Sequence, residues 1–199
     1  SNGGKNKTEA TAENATAVGF NAKASKSGAS AIGSGANASG SDSISFGTAT
    51  VANSEKAIAI GANSKGTAIG ATALGRDTEA SGASATALGA LASAKGSTAT
   101  AVGMEASATG NESLAIGKKA SATSGRALAV GTNTTATGAS SVAVGSGAGG
   151  SGIIGFAGSL NSTAGVVNTN RTINYATTAD GDTAVAVGYY ANAKNSGVA

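Results

Sequence analysis

The sequence has no cysteine, no histidine, no proline and no tryptophan among its 199 residues. Without cysteine there is no disulfide framework and no thiolate metal site. The same absence suits a chain that crosses a membrane unfolded, because no premature bridge can block transit. Without histidine as well, the commonest catalytic base is gone, and with cysteine absent so is the thiol nucleophile. Aromatic residues make up 3% and charged residues 12%. A globular core of large side chains is therefore out of reach, yet charge is too sparse for a typical disordered segment. No apolar run approaches the length of a membrane-spanning helix, and no secretory leader pattern is visible. The net charge of +3 comes without a basic run, so nucleic acid has little to hold. The chain opens on a polar tail and stops part-way through a unit, which is expected of a segment of a longer protein.

What the chain has in abundance is Gly, Ala, Ser and Thr, and they recur in register. Taking each glycine that follows an apolar residue as the end of a unit, the ends fall at Gly19, Gly33, Gly47, Gly61, Gly75, Gly89, Gly103, Gly117, Gly131 and Gly145, every step being 14 residues. Gly188 closes one further unit after a gap of 43, which is 14 plus 29. The organisation read from this is a polar tail at 1–5, ten units at 6–145, an insertion at 146–174, and a resumed unit with the start of another at 175–199.

A glycine in every unit argues against helix, since Gly costs about 1 kcal/mol in a helix interior. The apolar positions 11 and 13 of the unit lie two apart, which is the period of a strand and not of a heptad. Fourteen residues then make one coil of two short strands and two turns, an all-β parallel solenoid. Stacked coils place residue i over residue i+14, about 4.8 Å away. Charged pairs at this offset are opposite in sign, among them Glu9 with Lys23, Asp42 with Lys56, Lys65 with Glu79, Glu105 with Lys119, and Glu112 with Arg126. The pairs support the register more than they stabilise it.

Size predicts the faces of the coil. Position 13 is always large and apolar: Val18, Ile32, Phe46, Ile60, Leu74, Leu88, Val102, Ile116, Val130, Val144 and Val187. These residues are expected to fill the roll, opposite the small residues at positions 3 and 5. Position 12 then points outward. It holds Ala17, Ala31, Ala59, Ala73, Ala87, Ala101, Ala115, Ala129, Ala143 and Ala186, with Ser45 in the remaining unit. A column of alanine suits close approach by another chain, and so thin a roll would be marginal alone. The expectation is an oligomer with the alanine column at its interface.

Units such as "ESLAIGKKASAT", "SSVAVGSGA" and "KAIAIGANS" resemble the repeat of YadA-like head domains of trimeric autotransporter adhesins, over residues 6–145 and 175–199. The resemblance implies a left-handed parallel β-roll of 14-residue coils, three of which associate in parallel as a homotrimer. It also implies a place on the outer surface of a Gram-negative bacterium, with a stalk and a C-terminal outer-membrane anchor outside this segment. No membrane contact by the segment itself is implied.

The insertion, "SGAGGSGIIGFAGSLNSTAGVVNTNRTIN", carries two strand-like runs around a turn-rich stretch. A protruding hairpin is the reading, with packing back onto a roll favoured over a ligand-contacting loop or a flexible insert. An enzyme, a cofactor site and a metal site all lack residues: "GSGAGGSG" at 145–152 has no following P-loop lysine, and only four aspartates exist, too few for a calcium roll. Two non-enzymatic classes remain. One is an adhesin presenting a repetitive surface to host extracellular matrix of the collagen, fibronectin or laminin class. The other is a structural spacer or an ice-binding roll, the latter disfavoured because position 9 forms no threonine lattice. Binding residues are expected to be distributed along the repeat.

Overall fold

The computed structural model describes residues 7–145 and the backbone of three later strands, Thr178–Ala179, Val185–Val187 and Asn192–Ala193. The 1–5 tail and the 146–174 insertion lie outside the described residues. The chain divides into two compact units, Ser1–Glu105 and Ala106–Ala199. The first carries seven two-residue strands, from Glu9–Ala10 to Ser93–Ala94, and seven three-residue strands, from Thr16–Val18 to Thr100–Val102. Within this unit successive equivalent strands pair in parallel at a 14-residue offset, as Glu9 with Lys23 and Thr72 with Thr86. The second unit continues the scheme from Ser107–Ala108 and Leu114–Ile116. There Thr135 pairs with Thr178 and Val142 with Val185, so the ladder resumes directly after the residues between them. The fold is a parallel β-solenoid of about ten 14-residue turns, coil 1 being residues 6–19, coil 2 residues 20–33, and so on to coil 10 at 132–145.

Within each coil the backbone repeats itself after seven residues. The amide of position 3 donates to the carbonyl of the preceding position 14, as Ala22 to Gly19 at 3.3 Å. The amide of position 10 donates to the carbonyl of position 7 in the same way, as Ala29 to Lys26 at 3.1 Å. The residue before each of these amides, at position 2 or 9, is left-handed: Asn63 at φ 57° and Ser84 at φ 53° are examples. Each coil thus has two equivalent tight corners. The unit-ending glycine is required at one of them. Gly75 has φ 140°, and a Cβ there would stand 2.7 Å from the carbonyl oxygen of Gly89 in the next coil.

These corners decide what lies inside. Four positions per coil point inward, namely 3, 5, 10 and 12, and coil 7 fills them with Ala92, Ala94, Ala99 and Ala101, all buried. Buried Ser and Thr replace Ala at some of them, as Ser43, Ser45, Thr50 and Thr78. No inward position among the described coils holds a side chain larger than threonine.

The faces expected from size are therefore reversed. Ala31, Ala59, Ala73, Ala87, Ala101, Ala115, Ala129 and Ala143 are fully buried inside the roll, and Ala17 in the first coil is half-buried against the same interior. They are core residues and not an outward face. In the single chain Val18, Phe46, Leu74, Leu88 and Ile116 are exposed, with Val18 at 56%, and Ile32, Ile60, Val102, Val130 and Val144 are half-buried. They point outward and do not fill the roll. The side chains of Ala186 and Val187 lie outside the described residues. The physical reason is space: two strands of two and three residues closed by two tight corners enclose room for methyl and hydroxymethyl groups only. That large apolar residues are usually buried describes a tendency, and it does not bind a coil this narrow.

Two outcomes follow for stability. Ala87→Leu forces a large side chain into the interior and should lose about 3 kcal/mol or more in thermal melts followed by circular dichroism. Leu88→Ala, one residue on, should lose much less in the single chain, and equal losses would reverse the assignment of faces. Thr98 is a β-branched residue held at φ 53°. Thr98→Asn should raise the melting temperature, the gain being up to about 1 kcal/mol from relief of left-handed strain.

Candidate binding surfaces

The seven-residue pseudo-repeat makes two outward sheet faces with similar backbones and opposite chemistry. On the three-residue strands of the first unit the outward residues are Thr16, Val18, Ser30, Ile32, Ile44, Phe46, Ile58, Ile60, Thr72, Leu74, Thr86, Leu88, Thr100 and Val102. In the second they are Leu114, Ile116, Leu128, Val130, Val142 and Val144. None is charged. At the two-residue strands, position 4 and the position 6 residue just past each strand are polar almost throughout, running from Glu9, Thr11, Lys23 and Ser25 in the first unit to Ser121, Thr123, Thr135 and Thr137 in the second. A contiguous exposed apolar surface rimmed by polar residues marks a site of association.

Position 11, paired with position 13 by its two-residue spacing in the sequence, mixes Thr and Ser with Ile, Leu and Val. Its membership of the apolar face follows from the three-residue strand, which sends positions 11 and 13 to the same side. Phe20, Leu91 and Met104 are also exposed, at the corner that follows this face. They occupy no conserved-looking column, so periodicity carries no signal for them.

Charge is confined to the polar face and the corners. Lys56 Nζ lies 2.9 Å from Glu55 Oε1, Arg76 2.5 Å from Asp77, and Lys95 3.0 Å from Glu79. Lys65 and Glu79 are ladder neighbours, as the stacking of opposite charges anticipates, but the carboxylate of Glu79 is taken by Lys95 from the next coil. Asn63 Nδ2 donates to Asp77 Oδ1 at 2.9 Å. A recess of about 290 Å³ lies here, lined by Ala49, Asn63, Lys65, Asp77, Thr78 and Glu79. Its two carboxylates already have partners. Among the described residues no group of three or more acidic, cysteine or histidine side chains could hold a metal ion. No helix among them is long and apolar enough to cross a membrane.

A parallel solenoid of short coils, with an all-small interior, one uncharged apolar face and one polar face, is a repeat architecture in which each coil packs only on its neighbours. The sequence profile of the YadA head domain repeat matches residues 10–36, 38–64, 67–92, 94–120, 122–148 and 175–196. The chain belongs to the YadA head domain repeat family, the repeat of trimeric autotransporter adhesin heads exposed at the cell surface. No curated protein matches the chain.

The electrostatics make a further outcome testable. Lys56 is raised above its ordinary 10.5, first by its hydrogen bond to Glu55, then by that carboxylate's charge, with Asp42 adding to it. A cation whose folded-state pKa is raised stabilises fully below the unfolded pKa and loses that contribution as pH rises through the folded value. The loss falls above about pH 10, and with no histidine or cysteine no ordinary side chain titrates between about pH 5 and 9. The melting temperature should be flat across that window. A slope within it would place an unrecognised titrating group in the fold.

Proposed function

We propose that the chain is the head of a bacterial surface adhesin that assembles as a parallel homotrimer and binds host extracellular matrix of the collagen, fibronectin or laminin class. In this reading three copies bring their outward 11 and 13 columns together, and the polar faces remain for ligand. The observation that carries it is the lack of any charge along the apolar face. Closed three-fold association covers such a face on every subunit with no edge left over. The membrane anchor belongs to a C-terminal region beyond this segment. The repeat surface lets an extended ligand touch several coils at once, so affinity accumulates from many weak contacts.

Light scattering should give three times the 18.3 kDa mass of one chain. Ile116→Asp places a carboxylate on the apolar face and should dissociate the trimer while leaving strand content intact. Lys118→Ala, at an exposed corner, should leave the trimer unchanged. Ala115→Arg should instead unfold its coil, because Ala115 is interior. Solid-phase binding to a panel of matrix proteins should weaken in steps as whole coils are deleted, 76–89 first and then 76–103. Constant affinity through these deletions, with loss on removal of 146–174, would assign binding to the insertion. A trimer that binds no matrix protein would be a spacer.

A further inference from the structure

One coil of the first unit has an interior unlike the rest. In coil 5, residues 62–75, the inward quartet is Ser64, Gly66, Ala71 and Ala73. The other inward hydroxyls of this unit are partnered. Ser43 Oγ donates to the Gly40 carbonyl at 2.7 Å, Ser45 Oγ to Thr50 Oγ1 at 2.7 Å, Thr50 Oγ1 to the Gly47 carbonyl at 3.1 Å, and Thr78 Oγ1 to the Gly75 carbonyl at 2.6 Å. Ser64 Oγ is fully buried and has no partner. Ser93 Oγ in coil 7 is likewise buried without a partner, but it sits at position 4, outside the inward quartet. A buried hydroxyl without a hydrogen bond is destabilising, because it has left water without compensation.

Two residues on, facing the same interior, Gly66 stands where the other described coils have alanine. It removes a methyl from an interior built of methyls and adds freedom to the unfolded chain. Alanine cannot simply be restored there. A Cβ on Gly66 would stand 2.7 Å from the carbonyl oxygen of Ile58. The coils on either side suffer neither defect: coil 4 has Thr50, Ala52, Ala57 and Ala59, and coil 6 has Thr78, Ala80, Ala85 and Ala87.

In a solenoid each repeat touches only its neighbours, so a local defect is not averaged over a common core. We infer that coil 5 is a built-in opening point of the first unit, at which the roll opens internally as well as fraying from its end. Opening there exposes the ladder edges of coils 4 and 6 and lets the flanking stretches part while their own interiors stay packed.

Amide hydrogen exchange on the full chain tests this, with oligomeric state checked by light scattering so that a change of assembly is seen separately. Amides of 64–73 should exchange at least tenfold faster than the equivalent amides of 36–45. Ser64→Thr gives the hydroxyl the placement that Thr50 and Thr78 use toward the preceding glycine carbonyl, here Gly61. Ser64→Ala removes the hydroxyl altogether, as in the coils that carry Ala36 or Ala92. Each should slow exchange in 64–73 by about tenfold and leave 92–101 unchanged. Uniform exchange from coil 3 to coil 7, or no slowing in either variant, would overturn the inference.

Discussion

The narrowness of the coil interior is the constraint on which the rest depends. Two left-handed corners per turn, one of them ending on a glycine that presses against the next glycine's carbonyl, bring two short strands close enough that only Ala, Ser, Thr or Gly fit between them. Alanine contributes little apolar area, so the fold relies on ladder hydrogen bonds made at nearly every level. Corner amides join the strands in this, with Gly35 bonding Phe20 and Asp42 bonding Ser27 between successive coils. Stability comes from repetition of a modest unit and not from one deep core.

The same narrowness sends the large apolar side chains outside. Ile44, Phe46, Ile58 and Ile60 have nowhere else to go, and they form a face with no charged residue on it. The pseudo-repeat sharpens the point. Positions 4 and 6 occupy the equivalent place on the other strand and carry polar groups such as Lys65 and Thr67. Two backbones alike in path are made unlike in purpose by outward side chains alone. In the single chain one face leaves apolar side chains such as Phe46 and Leu74 exposed, and the other presents polar groups to solvent.

Variation inside the columns is tolerated where a hydroxyl finds a carbonyl. At position 3, Thr50 and Thr78 reach the preceding glycine carbonyl while Thr134 reaches Gly145 at the end of its own coil, and position 10 serines reach the carbonyl of position 7, as Ser113 does to Gly110 and Ser141 to Gly138. The bonds of Thr50 and Thr78 and those of Ser113 and Ser141 are the same bond made in the two halves of a coil. Ser64 stands outside this rule, which is why a single hydroxyl distinguishes its coil from its neighbours.

The sequence by itself determined the 14-residue period, the parallel register, the glycine corners and the family, because period and register are written in spacing. Glu9 over Lys23 and the steps from Gly19 to Gly145 are legible without coordinates. Inside and outside were not legible. Alternation along Leu114, Ala115 and Ile116 says that two residues face one way and one the other, but not which way is in. Only the closed coil decides that, because the width of the interior is set by the corner dihedrals and by the distance between strands. Once that width is known, Ala115 must be core and Ile116 must be surface. Exposed residues in no column, such as Phe20 and Met104, also became visible only when the corner was placed beside the apolar face.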